Sequence, residues 1–197
     1  MTPATANKAA ERAIAWATGH PQEMDWIGAN MESNRFAMGL AEALDKWGSL
    51  TERQLESVRL SMARTAKNEA APAVNVAALE AKFDIARARQ VKRPMMRLDG
   101  YVFKAVTKGV NEGGVYVTQA DDGEYLGKIM GGRFMRVAAC SPEQEARIAA
   151  AASNPDEAAK AYGQRTGNCC ICGRDLTAED SIARFIGPIC AEKYGMA

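Results

Sequence analysis

The sequence predicts an α+β protein: N-terminal helices containing an αα-hairpin, a small antiparallel β module, and a C-terminal treble-clef-like zinc site. Three observations predict it. Apolar residues recur at helical spacing through the first ninety positions. After Pro94 the pattern switches to the period-two alternation of strands. Four of the five cysteines then fall within "TGNCCICGRDLTAEDSIARFIGPICAEKYG", Thr166 to Gly195. The expected modules are 1–90 helical, 91–140 β, and 141–197 capped helices with the zinc-binding segment.

In the first module, "SNRFAMGLAEALDKWGSLTERQLESVRLSMARTAK" carries the punctuation of two antiparallel helices. Phe36, Leu40, Leu44 and Trp47 form one apolar stripe, and Gly48 supplies a left-handed stop. Thr51 with Gln54 makes a capping box, and Leu50 facing Leu55 makes a hydrophobic staple. Leu55, Val58 and Met62 continue the second stripe. A further helix is expected from about Val76 to Arg89, burying Val76, Leu79, Phe83 and Ala86. Trp16, Trp26 and Trp47 read as packing residues, and the methionines as adaptable core.

In the β module, "LDGYVFKAVT", "GGVYVTQADDGEYLGKI" and "GGRFMRVAA" give about four short strands. Asp122-Gly123 and Gly131-Gly132 are hairpin turn signals. Two capped helices follow. Ser141-Pro142 with Gln144 puts proline at the first helical position and a box partner three residues from the cap. Asn154-Pro155 with Glu157 repeats the device, and Gly163 is expected to close that helix after Tyr162.

In the cysteine segment, Cys169 and Cys172 form a C-x-x-C followed by Gly173. Such a knuckle points two thiolates inward while glycine lets backbone amides turn toward the sulfurs. Cys190 follows after seventeen intervening residues, a spacing common in zinc sites. Pro188 and "CAEKYG" read as the first turn of a helix that carries it. A short hairpin between knuckle and helix would complete the treble-clef-like arrangement. The expected zinc ligands are Cys169, Cys172 and Cys190. The fourth ligand stays open among Cys170, Asp180, Ser181, Cys140 and water, since Lys193 holds the usual position. A disulfide is disfavoured by the odd cysteine count, and a redox pair by the lack of a βαβ context.

This segment resembles the C-terminal zinc-finger-like domain of a family of uncharacterised bacteriophage proteins, of the DUF6011 type. The residues that carry the resemblance are Cys169, Cys172, Gly173, Arg174, Leu176, Ser181, Ile182, Ile186, Gly187, Pro188 and Cys190. Phe185 stands where the family has glycine. Weaker likeness extends upstream, to "FAMGLAEALDKWGSLTERQ" and "GGVYVTQ…YLGKIMGGRF". The resemblance implies a phage or prophage origin and a metal site, and implies no activity.

Net charge is +1, which by itself points to no nucleic-acid or membrane partner, but its distribution is uneven. Residues 87–108 carry seven bases (Arg87, Arg89, Lys92, Arg93, Arg97, Lys104, Lys108) against Asp99 alone, while both flanking segments are net acidic. A basic helix end complements the helix macrodipole without further purpose. The continuation of charge through Lys104 and Lys108 favours a phosphate footprint instead. Tyr101, Phe103, Tyr116, Tyr125 and Phe134 are core residues or, where exposed beside lysine, a platform for single-stranded bases. Alternation places Tyr101 and Phe103 on one face and Lys104 on the other. The nucleic-acid-binding candidates are Arg87, Arg89, Lys92, Arg93, Arg97 and Lys104.

No nucleophile–base–acid set is visible, and His20 is the only histidine, so a non-enzymatic protein is expected. The first twenty residues carry scattered charges and no apolar h-region, and no run reaches the ~18 residues of a membrane span. The expected setting is the host-cell cytoplasm. The expected function is binding of nucleic acid, with single strands among the candidates. The alternative is an adaptor or inhibitor acting on a host replication, transcription or defence protein.

Overall fold

The computed structural model describes residues 3–196, with helices α1 to α5, a five-stranded sheet, then helices α6 to α9. The chain divides into two compact units, Met1–Ala70 and Ala71–Ala197. Three modules were expected. Helix α5 (Ala77–Ala88), the sheet, α6 (Pro142–Ser153), α7 (Pro155–Thr166) and α9 (Pro188–Tyr194) share one buried core within the second unit.

The first unit comprises α1 (Pro3–Gly19), α2 (Pro21–Asn30), α3 (Arg35–Trp47) and α4 (Glu52–Glu69). The α3–α4 hairpin forms as its punctuation dictates. Gly48 adopts φ 75° and its N–H donates to the Leu44 carbonyl at 2.8 Å. The Thr51 N–H donates to Gln54 Oε1 at 2.9 Å, and the Gln54 N–H donates to Thr51 Oγ1 at 3.3 Å, closing the box. Ile27, Leu40, Leu44 and Val58 make the core, with Trp16, Trp26, Leu50 and Met62 packed around it. Phe36 and Trp47, expected in the same stripe, are 42% and 62% exposed. They sit in the first and last turns of α3, where Phe36 packs against Trp26 with ring centroids 6.4 Å apart. Glu23 is held below the usual carboxylate range by the Arg59 hydrogen bond at 2.8 Å.

In the second unit α5 buries Leu79, Phe83 and Ala86 as its spacing predicts. The antiparallel meander that follows has strand order β1-β2-β3-β4-β5. Its members are β1 (Met95–Leu98), β2 (Tyr101–Ala105), β3 (Val115–Gln119), β4 (Tyr125–Met130) and β5 (Arg133–Arg136). Five strands stand where four were expected, because "LDGYVFKAVT" contains a turn. Asp99 (φ 46°) and Gly100 (φ 91°) both take positive φ, the signature of a two-residue hairpin loop. Arg147 of α6 clamps that turn through paired bonds to the Asp99 carboxylate and lies 5.5 Å above the Tyr101 ring.

Alternation then sorts the sheet. Met96, Leu98, Tyr101, Phe103, Val115, Val117, Ile129 and Phe134 point into the core against the helices. On the opposite face Lys104, Tyr116, Lys128 and Met135 lie in register across four strands.

Helix α6 (Pro142–Ser153) starts with the expected Ser141–Gln144 capping box. Helix α7 (Pro155–Thr166) begins at Pro155, but Asn154 makes no side-chain cap, so the second box is not formed. Gly163 does not end α7, which runs to Thr166 and stops at Gly167 in the left-handed conformation. Gly163 is a contact glycine: a Cβ there would lie 2.4 Å from the Cβ of Phe185. Phe185 itself takes φ 57° at the end of α8 (Glu179–Arg184). The Phe185 side chain is thus seated against a bare stretch of α7.

Candidate metal centre and basic surface

The knuckle is built by backbone bonds within residues 168–175. The Cys169 N–H donates to the Arg174 carbonyl at 2.8 Å and the Gly173 N–H to the Cys169 carbonyl at 2.9 Å. Asn168 and Asp175 form a single β-bridge. Gly173 has φ 74°, and a Cβ there would meet the Arg97 guanidinium at 3.0 Å. The left-handed backbone favours glycine after the second cysteine. A short helix, α8, replaces the expected hairpin. Helix α9 (Pro188–Tyr194) then carries Cys190 in its first turn, as its Gly-Pro start predicts.

These elements bring the Sγ atoms of Cys169, Cys172 and Cys190 within 4.8 Å of one another. Sulfurs around a tetrahedral metal with ~2.3 Å bonds lie about 3.8 Å apart, close to that spacing. The Cys190 thiol donates to Cys169, and backbone amides of Gly187, Cys172 and Ile171 also point at it, so Cys169 is held well below the usual thiol range. Cys190 is correspondingly raised, since it holds the proton that Cys169 gives up. Three converging cysteine sulfurs, one of them held toward its thiolate form, suit a soft metal ion.

Among the described residues no fourth cysteine, histidine or carboxylate joins the three. Three of the residues considered for the fourth position lie elsewhere in this structure. Cys170 is fully buried in the core, where burial first and the neighbouring Cys169 second push its thiol up to about 12. Cys140 is buried and directed at the Ser141 carbonyl. Asp180 is exposed on α8.

The basic segment is dispersed by the fold into four environments. Lys92, Arg93, Lys104 and Lys108 line one open groove of about 870 Å³ together with Pro94, Met95 and Tyr116. Arg87 is ion-paired to Asp84 at 2.6 Å, in a neighbouring pocket that also contains Glu80 and Glu112, so it offers no free charge. Arg89 is exposed at the end of α5. Arg97 is drawn into the metal centre. Its backbone N–H donates to the Cys170 carbonyl at 2.6 Å, and its guanidinium donates to the Ile171 carbonyl. The Met95 N–H donates to the Tyr194 hydroxyl at 2.9 Å, so β1 is fastened to both the knuckle and α9. Sequence reasoning missed this brace, because the partners lie more than seventy residues apart.

The aromatic candidates divide likewise. Tyr101, Phe103 and Phe134 are buried, whereas Tyr116 and Tyr125 lie on the outer face with their ring centroids 5.9 Å apart. Lys128, absent from the expected set, belongs with them: its Nζ donates to Asn111 Oδ1, and Asn111 Nδ2 donates to the Tyr116 hydroxyl. Hairpin registers anchored on Gly131-Gly132 would have revealed it, had the strand ends been known.

A knuckle and a helix that converge three cysteines define a candidate metal-binding protein. Residues 159–195 match the model of a family of unknown function, DUF6011. That match covers the metal centre and most of α7. No curated protein and no solved structure matches the chain. No helix among the described residues is long and apolar enough to cross a membrane.

Proposed function

We propose that this chain is a phage-encoded, non-enzymatic zinc protein that binds nucleic acid. Zinc would be held by Cys169, Cys172 and Cys190 in a treble-clef-like setting, and would supply structural cross-linking rather than chemistry on a substrate. Arg97 and Tyr194 would pass that rigidity to β1, and so to the chain entering the groove at Lys92 and Arg93.

The observation that carries the binding function is the convergence of Lys92, Arg93, Lys104 and Lys108 on one groove. Four cations gathered from a loop, β2 and the turn after it make a concave field suited to a phosphate backbone. Fluorescence anisotropy with labelled DNA and RNA at ~50 mM salt tests it. Binding that weakens steeply with added salt is the expected result.

A second reading has its own observation. Phe36, Met38, Trp47 and Leu60 of the N-terminal unit are between 42% and 62% exposed. Large apolar side chains left in solvent suit a protein partner, here a host replication, transcription or defence protein. Absence of nucleic-acid binding, with nuclease-resistant capture of a host protein, would favour this adaptor or inhibitor.

A further inference from the structure

We propose that Tyr116 and Tyr125 form a base-stacking site that makes the basic surface selective for single-stranded nucleic acid. The inference rests on the nucleic-acid reading above and deepens it. Every other aromatic of the sheet is buried on the core face, while Tyr125 is 42% exposed on the outer one. The two rings meet edge to face at 83°. Tyr116 is pinned by the Asn111 bond to its hydroxyl, and Asn111 in turn holds the Lys128 ammonium at 2.6 Å. In the sheet register Tyr116 lies between Lys104 and Lys128, and Tyr125 pairs with Thr118 one row along.

Two features argue for an unpaired base as the occupant. Charge complementarity is the first: Lys104, Asn111, Tyr116, Thr118, Tyr125 and Lys128 line the patch, with no carboxylate among them. Continuity is the second. Lys104 and Tyr116 line both this patch and the groove of Lys92, Arg93 and Lys108, so a backbone held in the groove brings its bases to the rings. A duplex keeps its bases inside the stack and presents phosphates, which the cations alone can hold. Only an unpaired base can use an exposed tyrosine face.

The test is anisotropy at fixed salt with a mixed-sequence strand of about 16 nucleotides, single and as its duplex. Wild type should bind the single strand more tightly. Tyr125→Ala should weaken single-strand binding by roughly 5- to 150-fold, with duplex binding and the salt slope unchanged, and Tyr125→Trp should restore it. An unchanged melting temperature checks the fold. Equal losses on both probes, or no loss on the single strand, would overturn stacking while leaving a cation-driven nucleic-acid protein. Binding of neither probe by wild type would overturn this inference and the reading beneath it together.

Discussion

Cys172→Ser separates a metal centre from a cluster of thiols that merely pack together. Cys172 is the exposed member of the three, so its replacement by serine removes little buried surface and should by itself shift stability by no more than about 0.5 kcal/mol. As a lost ligand its effect is far larger. Structural zinc contributes roughly 10–16 kcal/mol of apparent binding energy at neutral pH. Without it the segment after Gly167 loses its anchor. The bonds from Arg97 and Met95 to that segment, at ~1 kcal/mol each, would go with it. So would the burial of Ile186 and Tyr194, at about 1.5–3 kcal/mol each. The loss would be on the order of 6–9 kcal/mol, most of the ~5–15 kcal/mol that holds a domain together. Cys170→Ser is the matched control. It is fully buried and outside the cluster, so it should cost about 1–3 kcal/mol through a buried hydroxyl and keep the metal. Elemental analysis, with hydrogen exchange of the amides of 168–196 and of β1, reads both effects. Full metal content and unchanged protection in Cys172→Ser would refute the site, and metal loss confined to Cys170→Ser would reassign the ligand.

Two further substitutions test the framework. Gly163→Ala should lower stability by about 1–3 kcal/mol, because the new methyl meets the Cβ of Phe185, which cannot move without its backbone; an unchanged thermal midpoint would mean that α8 does not rest on α7. Thr51→Ala should cost the N-terminal unit about 1 kcal/mol through the lost cap, as read by denaturant titration, and no change would place the start of α4 elsewhere.

Local chemistry made much of this legible. The Thr51–Gln54 and Ser141–Gln144 boxes, the Gly48 stop and the Gly131-Gly132 turn need only residues a few positions apart, and each forms as its sequence requires. The cysteine triad was legible because ligand spacing and a Gly-Pro helix start are local signals too. What failed depended on distant partners. Gly163 looked like a stop, yet Phe185 decides its role. Asp99-Gly100 lies between two stretches whose alternation is continuous in sequence, which hides the turn. Arg97 read as one more surface base, whereas its charge faces the knuckle. The basic run is visible as composition, but only the folded chain shows that four of its cations line one groove and that Arg87 is paired to Asp84.

Whether the groove of Lys92, Arg93, Lys104 and Lys108 holds a phosphate backbone is read from the salt dependence of binding. Each contact to a single-strand phosphate contributes about −0.7 to the slope of log K against log salt. Neutralising all four with glutamine should therefore flatten the slope by up to about 3 and weaken binding to unrelated sequences equally, with stability nearly unchanged because these are surface charges. A four-cation variant that keeps the wild-type slope and affinity would show that the groove does not hold the backbone.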